Sequence, residues 1–277
     1  RGGNQMFNWN GEFAGKVVLI TGAASGLGRQ AAIQFGADGA KVVIGDIQIE
    51  KGQGVVEEIK AAGGEATFVE CNVGSEEAVK NLIDSAIKTY GTIDILVNNA
   101  GGGGGLGMPF TRPSVEDWNQ AYENMIRGTY LCTKYVYDLF KERGTGKIVN
   151  TASVAGKESD PPLVAYSAMK AAIISMTQSL AKELGPYGIN VNAVCPGLIY
   201  TPIWQRLGKI LSMAFPNRFP NMEGRQVFEW HMHNMQMMPN YEVTEEDIAN
   251  GIMFLASSLA SGIQGQSINI CAGMTTK

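Results

Sequence analysis

A chain of 277 residues is long enough for one large α/β domain, and its net charge of −4, without a basic cluster, argues against nucleic-acid or anionic-membrane partners. No signal peptide is read at its start and no apolar run approaches the ~18 residues of a membrane span, so a cytoplasmic protein is expected. The four cysteines, Cys71, Cys132, Cys195 and Cys271, make no metal-ligand spacing; they read as buried reduced thiols, and no metal is expected.

Residues 1–12 are set aside as an N-terminal extension, and 13–277 read as a single domain. From Lys16 apolar strands alternate with helices, the pattern of a parallel sheet covered on both faces. Strands are expected at Lys16–Thr21, Lys41–Asp46, Ala66–Cys71, Ile93–Asn98, Ile148–Ala152 and Ile189–Val194. Between them stand helices at Leu27–Ala37, Glu50–Ala62 and Glu76–Tyr90, one long helix over Ser114–Arg143, and another after Pro161-Pro162. The rhythm breaks between Pro196 and Tyr241, a stretch with no strand signal and little clean periodicity but many Met, Phe and Trp. It resumes with a helix near Glu245–Ser257 and a last strand at Ser267–Ile270. The expected fold is therefore an α/β doubly wound parallel sheet of about seven strands.

Thr21-Gly22-Ala23-Ala24-Ser25-Gly26-Leu27-Gly28 joins the first strand to the first helix. Glycines permit a tight turn and close backbone approach, and a helix N-terminus offers free N–H groups to a pyrophosphate. The spacing is Gly-x-x-x-Gly-x-Gly, unlike the Gly-x-Gly-x-x-Gly fingerprint. Asp46 ends the second strand, where an acid accepts hydrogen bonds from adenosine ribose hydroxyls and repels a 2′-phosphate. Neither Ser25 nor Ile47 offers a compensating positive charge, so NAD is favoured over NADP.

Tyr166 and Lys170 stand four apart on an expected helix and share a face. A neighbouring ammonium favours a phenolate, so the pair suits proton exchange with an alcohol or a ketone. Ser153 lies thirteen residues upstream, and Asn98-Asn99-Ala100-Gly101 closes the fourth strand.

Together these motifs resemble the short-chain dehydrogenase/reductase family, over Phe13 to the C-terminus. Thr21–Gly28 is similar to its Thr-Gly-x-x-x-Gly-x-Gly loop, Asn98–Gly101 to its Asn-Asn-Ala-Gly turn, and Pro196-Gly197 with Thr201 to its cofactor-closing loop. Asn124, Ser153, Tyr166 and Lys170 match its catalytic tetrad. The resemblance implies a Rossmann-type fold and a dinucleotide held by Gly22, Ser25, Gly26, Leu27, Gly28, Asp46, Ile47, Asn72 and Val73. It adds Asn99, Ala100, Gly101, Tyr166, Lys170, Pro196, Gly197, Ile199 and Thr201 to that set. It also implies Tyr166 as acid/base and Ser153 as donor to the substrate oxygen. Lys170 would tune the phenol and bind ribose, and Asn124 would hold a water in a proton relay. Two departures stand out: Asn72 where many members carry Asp, and Cys271-Ala272-Gly273 where Asp-Gly-Gly is common.

The family places a substrate lid at about 197–241. Here its Met and aromatic residues offer an adaptable apolar surface. Trp204, Phe228 and Trp230, with Gly103 in the run Gly101–Gly105, are candidate contacts for a bulky substrate. His231 and His233 are read as loop residues; His231 is a candidate contact, and solvent exposure is the alternative.

The expected activity is NAD-dependent interconversion of a small-molecule secondary alcohol, bulky, cyclic or apolar, and its ketone, by a homotetramer or homodimer. An NADPH-dependent carbonyl or 3-oxoacyl thioester reductase would share the tetrad but conflict with Asp46. A non-catalytic dinucleotide-sensing protein would need the loop but not the tetrad.

Overall fold

The computed structural model describes residues 8–102, 106–159 and 163–277. Seven parallel strands, β1 (Val17–Thr21), β2 (Lys41–Asp46), β3 (Glu65–Glu70), β4 (Ile95–Asn98), β5 (Gly146–Thr151), β6 (Ile189–Pro196) and β7 (Ser267–Ile270), form one sheet. Their order is β3-β2-β1-β4-β5-β6-β7. The central strands β1 and β4 are buried along their whole length and apolar up to their last residues, Thr21 and Asn98, as a doubly covered sheet requires.

Helices α1 (Gly26–Ala37), α2 (Ile49–Ala61) and α9 (Glu245–Ala256) supply the core on one face, built on Phe35, Ile59 and Ile252. Helices α3 (Glu76–Tyr90), α5 (Gly128–Arg143) and α6 (Val164–Leu184) supply the other, around Leu82, Phe140 and Leu184. Strand order reverses between β1 and β4, and in open α/β sheets the crevice beyond the strand ends at that switch point receives the ligand. The glycine loop and the Asn-Asn-Ala-Gly turn both leave the sheet there.

Where the long helix Ser114–Arg143 is expected, three pieces occur. They are α4 (Val115–Tyr122), one π-helical turn over Glu123–Arg127, and α5. Apolar spacing reads through such a turn because it adds one residue without breaking the rod, and π-turns concentrate at functional sites. Asn124 lies inside it. The irregular stretch after Pro196 holds two helices, α7 (Pro202–Ala214) and α8 (Gly224–Met235). They pack so closely that a Cβ on Gly208 would lie 2.5 Å from the Gly224 carbonyl oxygen.

His231 and His233 therefore belong to a helix and not to a loop, and His231 is buried. The capping pair Glu223 and Gln226 starts α8, while Val227, Phe228, His231 and Met232 fall on its inner face at helical steps. With histidine counted as polar, that apolar stripe is too broken to read.

Of the N-terminal extension, residues from Trp9 onward dock on the body. The Trp9 ring centre lies 5.9 Å from that of Phe13, which packs at 4.8 Å on Phe35. The backbone N–H groups of Gly11 and Phe13 donate to the Asp38 carboxylate, both at 2.9 Å. Among the described residues no helix is long and apolar enough to cross a membrane.

Candidate active site

The glycine loop depends on close backbone approach. Gly22 and Gly26 adopt φ of 67° and 57°, in the left-handed region that favours glycine. A Cβ on Gly22 would meet the Ala100 Cα at 2.7 Å, and one on Gly28 would meet Asn99 Nδ2 and the Gly22 oxygen, each at 2.4 Å. The two loops are also bonded together. Asn99 Nδ2 donates to the carbonyls of Thr21 and Gly22 at 3.1 and 3.0 Å, and the Thr21 hydroxyl oxygen accepts the N–H groups of Asn99 and Ala100 at 3.1 Å. Ser25 precedes α1 in an extended conformation, and its side chain makes no cap bond to the first helical N–H groups.

Asp46 is buried at the end of β2. One carboxylate oxygen accepts from the Ala24 N–H at 2.9 Å, and the other accepts from the Gln48 N–H at 2.9 Å. The acid is thus fixed against the glycine loop, while Ile47 beside it is exposed. Asn72 is exposed and accepts the Gly74 N–H on Oδ1 at 3.0 Å; Val73 is buried against Gly128.

On the other side of the switch point, Ser153 starts a short 3-10 turn and its Oγ accepts the Ala155 N–H at 3.1 Å. Lys170 is buried; its Nζ donates to the Thr151 carbonyl at 2.6 Å and lies 5.6 Å from the centre of the Tyr166 ring. A Cβ on Gly101 would stand 3.6 Å from that Nζ, and Asn124 Nδ2 donates to the Gly102 carbonyl at 3.3 Å. Ser153, Tyr166, Lys170 and Asn124 therefore gather around the end of the Asn-Asn-Ala-Gly turn.

The electrostatics differ from the simple expectation of a phenol lowered by its lysine. Burial pushes the Tyr166 phenol above its usual value, and the hydrogen bond from the Ser153 side chain pulls in the opposite direction. Burial also lowers the Lys170 ammonium from 10.5 to about 8. Desolvation sets both directions, with Lys170 buried and Tyr166 half-buried, because each charged form loses hydration there.

The loop with Gly197 and Thr201 follows β6. Pro196 ends that strand, the Gly197 N–H donates to the Ile270 carbonyl at 3.0 Å, and the Thr201 N–H donates to the Ile199 carbonyl at 2.8 Å. A Cβ on Gly197 would meet the Cys271 Cβ at 2.6 Å, so β6 and the chain after β7 meet here without room for a side chain.

The candidate substrate residues separate. Phe228 is fully buried and packs on Tyr200 and Trp204, with ring centres 5.1 Å apart in each case. Trp230 instead stacks edge-on with Phe219 at 5.4 Å beneath the Arg218 guanidinium. His231 sits 5.4, 5.3 and 5.1 Å from the rings of Trp204, Phe219 and Trp230, and its Nδ1 is 2.7 Å from the Val227 carbonyl oxygen. These side chains hold α7 and α8 together, and Trp204 belongs to both of their apolar clusters. Gly103 lies outside the described residues. Among those described, no three His, Cys, Asp or Glu side chains gather where a metal ion could be held.

Two contributors were not singled out from sequence. Glu245, in the first turn of α9, has a carboxylate oxygen 3.9 Å from where a Gly26 Cβ would stand, and burial raises its carboxyl. Met274 packs against the Tyr166 cluster and the Phe228 cluster alike. The departure at Cys271-Ala272-Gly273 was the only signal in that region.

Residues 16–210 match the short chain dehydrogenase family model. The chain belongs to the short-chain dehydrogenase family. A hydroxy(phenyl)methylsuccinyl-CoA dehydrogenase subunit of Thauera aromatica is 38% identical over 93% of this chain and 96% of its own length. The crystal structure of an NAD+-bound xylitol dehydrogenase aligns with a TM-score of 0.88 at 30% identity, covering 94% of this chain and 99% of that one. An actinorhodin polyketide ketoreductase with NADPH aligns with a TM-score of 0.86 at 30% identity, covering 96% and 99%. Membership places this short-chain dehydrogenase among nicotinamide-dinucleotide-linked oxidoreductases of alcohol and keto groups.

Proposed function

We propose that this short-chain dehydrogenase interconverts a bulky, apolar or cyclic secondary alcohol and its ketone, with NAD as cofactor. The observation that carries the reading is the gathering of Ser153, Tyr166 and Lys170 beside a backbone cradle that no side chain could share. The cradle fits a dinucleotide. Gly26 leaves the backbone bare, the first N–H groups of α1 lack a side-chain cap, and the Asp46 carboxylate, suited to a ribose, is held against the same loop by the Ala24 N–H. When bound, the dinucleotide supplies the hydride acceptor or donor.

The chain's own residues do the proton work. The Ser153 hydroxyl donates to the substrate oxygen and holds it beside the phenol of Tyr166. In oxidation Tyr166 Oη takes the alcohol proton; in reduction it returns a proton to the ketone oxygen. Lys170 Nζ, fixed by the Thr151 carbonyl, binds the nicotinamide ribose and places positive charge near the phenol. Asn124 holds a water that carries the proton from Lys170 towards solvent. The lid helices α7 and α8 cover the reacting atoms and exclude water.

A screen of NAD-linked oxidation across steroid, terpene, aryl and cyclic polyol secondary alcohols tests the reading. Turnover of none, with NADH binding intact, would leave a dinucleotide-sensing protein instead.

The preference for NAD rests on Asp46. Its carboxylate is already seated against the Ala24 N–H, so a 2′-phosphate would meet fixed negative charge. NADH is expected to bind at least about tenfold more tightly than NADPH, a difference of ~1.4 kcal/mol, and Asp46→Ala to narrow the gap. Titration of both reduced cofactors by fluorescence measures this. Equal or tighter NADPH binding would favour the carbonyl or 3-oxoacyl thioester reductase reading.

Assembly into a homotetramer or homodimer belongs to the same reading. Between α5 and α6 runs a groove of about 510 Å³ lined by Tyr130, Tyr137, Met176 and Leu180, and Tyr130 is 53% exposed. Such a face on two packed helices suits a second copy of the chain. Sedimentation at micromolar concentration is expected to show a dimer or tetramer, with Leu180→Glu shifting it to monomer; monomer alone for the unaltered chain would contradict this.

A further inference from the structure

The last residues of the chain are strapped between the lid and the Ser153 loop. After β7 the backbone turns through Ala272 and Gly273 with φ of 50° and 76°, and the Met274 N–H closes the turn on the Cys271 carbonyl at 3.0 Å. An alanine in the left-handed region is unfavourable, so the surroundings must hold it there. They do so from the lid side. The Ala272 carbonyl accepts the Met238 N–H at 3.1 Å, and a Cβ on Gly273 would lie 2.7 Å from the Met237 Cβ. From the other side, Asn269 Nδ2 donates to the carbonyls of Thr275 and Lys277 at 3.3 and 3.0 Å. Lys157 Nζ, four residues beyond Ser153, also donates to the Lys277 carbonyl, at 3.0 Å.

Met274 stands between these anchors. It packs against the cluster of Ala152, Val154, Cys195 and Tyr166, and also against the lid cluster of Phe228 and Trp204. Among the described residues no other side chain belongs to both. It is only half-buried, so part of the side chain stays open to a further contact. An unbranched thioether also adapts its shape to an apolar neighbour better than a branched chain does.

Resting on the oxidoreductase reading above, we propose that Met274 is a specificity-determining residue, the contact by which the site holds the apolar body of its alcohol or ketone. The same stretch meets Gly197 of the loop after β6, where a Cβ would lie 2.6 Å from the Cys271 Cβ, so the NADH dissociation constant is what separates a substrate contact from a cofactor contact.

The test compares the unaltered enzyme with Met274→Ala, Met274→Gln and Met274→Leu, using cyclohexanol and a steroid alcohol at saturating NAD. With Ala and Gln, KM for the steroid alcohol is expected to rise about tenfold, the scale on which apolar pockets discriminate, with KM for cyclohexanol within about twofold. Leu should stay near the unaltered enzyme, and the NADH dissociation constant should not move in any variant. Gln keeps the length of Met and replaces only its apolar end, so it carries the test should Ala unsettle the fold. Equal losses on both alcohols, or a parallel loss of NADH affinity, would overturn the proposal and make Met274 a structural prop. An unaltered enzyme that oxidises neither these nor other secondary alcohols would overturn the oxidoreductase reading and this inference with it; turnover with an unchanged KM ratio would overturn this inference alone.

Discussion

Tyr166→Phe is expected to cut turnover by about a hundred- to ten-thousand-fold, the range a positioned acid/base supplies, while leaving NADH affinity within about twofold. The substitution removes one oxygen and keeps the ring that packs beside Ala152, Val154 and Cys195. Ser153 still accepts the Ala155 N–H, so its loop keeps its anchor and loses only the phenol as a partner. A collapse in turnover with an unchanged melting temperature would therefore report chemistry and not folding. The pH dependence has a sign. Burial holds the phenol protonated across the neutral range in the free chain. Alcohol oxidation, which needs a proton acceptor, should gain in kcat/KM as pH rises from 7 towards 10. Ketone reduction, which needs a donor, should be flat or fall over the same range. Near-native turnover of Tyr166→Phe, or parallel pH profiles in both directions, would remove Tyr166 from the proposed role.

Much of this architecture was legible because its signals are local. Strands β2 and β7 and helices α3 and α6 lie where the periodicity placed them, and the helix ends are marked by the Ser75 cap and Gly91 for α3 and by Gly185 for α6. The glycine loop, Asp46 and the Asn-Asn-Ala-Gly turn come together at the switch point because parallel strands of one sheet bring their C-terminal ends to a single edge. What the sequence hid is non-local or irregular. The π-turn at Asn124 leaves the apolar stripe of α4 and α5 uninterrupted, so nothing in the spacing betrays it. Between Pro196 and Tyr241, Phe228 is wrapped by Tyr200 and Trp204, and Trp230 faces Phe219 and Arg218; aromatic content alone could not divide these roles. Met274 acquires its neighbours only when the tail folds back between two distant segments. Spacing at i and i+4 fixes the proximity of Lys170 to Tyr166, whereas the burial that opposes the charged form of each depends on the whole fold.

Lys170→Met should be the most informative single change, because it separates function from stability in opposite directions. One ammonium is assigned two tasks, binding the nicotinamide ribose and placing charge near the Tyr166 phenol. Its loss should weaken NADH binding about tenfold to a hundredfold, the scale of a hydrogen bond to a charged group, and cut turnover by about a hundredfold or more. Stability should respond differently. Burial lowers Lys170 to about 8 from 10.5, so below about 8 both folded and unfolded chains carry the proton and the cost of burying charge is fully present. Between those two values the unfolded chain holds more of the proton than the folded one, so the stability of the unaltered protein rises with pH. Methionine has no such cost and fills a similar volume among apolar neighbours. Losing the bond to the Thr151 carbonyl displaces the comparison by a constant and leaves its slope alone. Unfolding free energies from denaturant titrations should therefore favour Lys170→Met most at pH 7, with the advantage shrinking steadily as pH rises from 8 to 10. A difference independent of pH across that range would mean that Lys170 keeps its proton in the folded chain. A variant that retained both NADH affinity and turnover would detach Lys170 from the proposed mechanism.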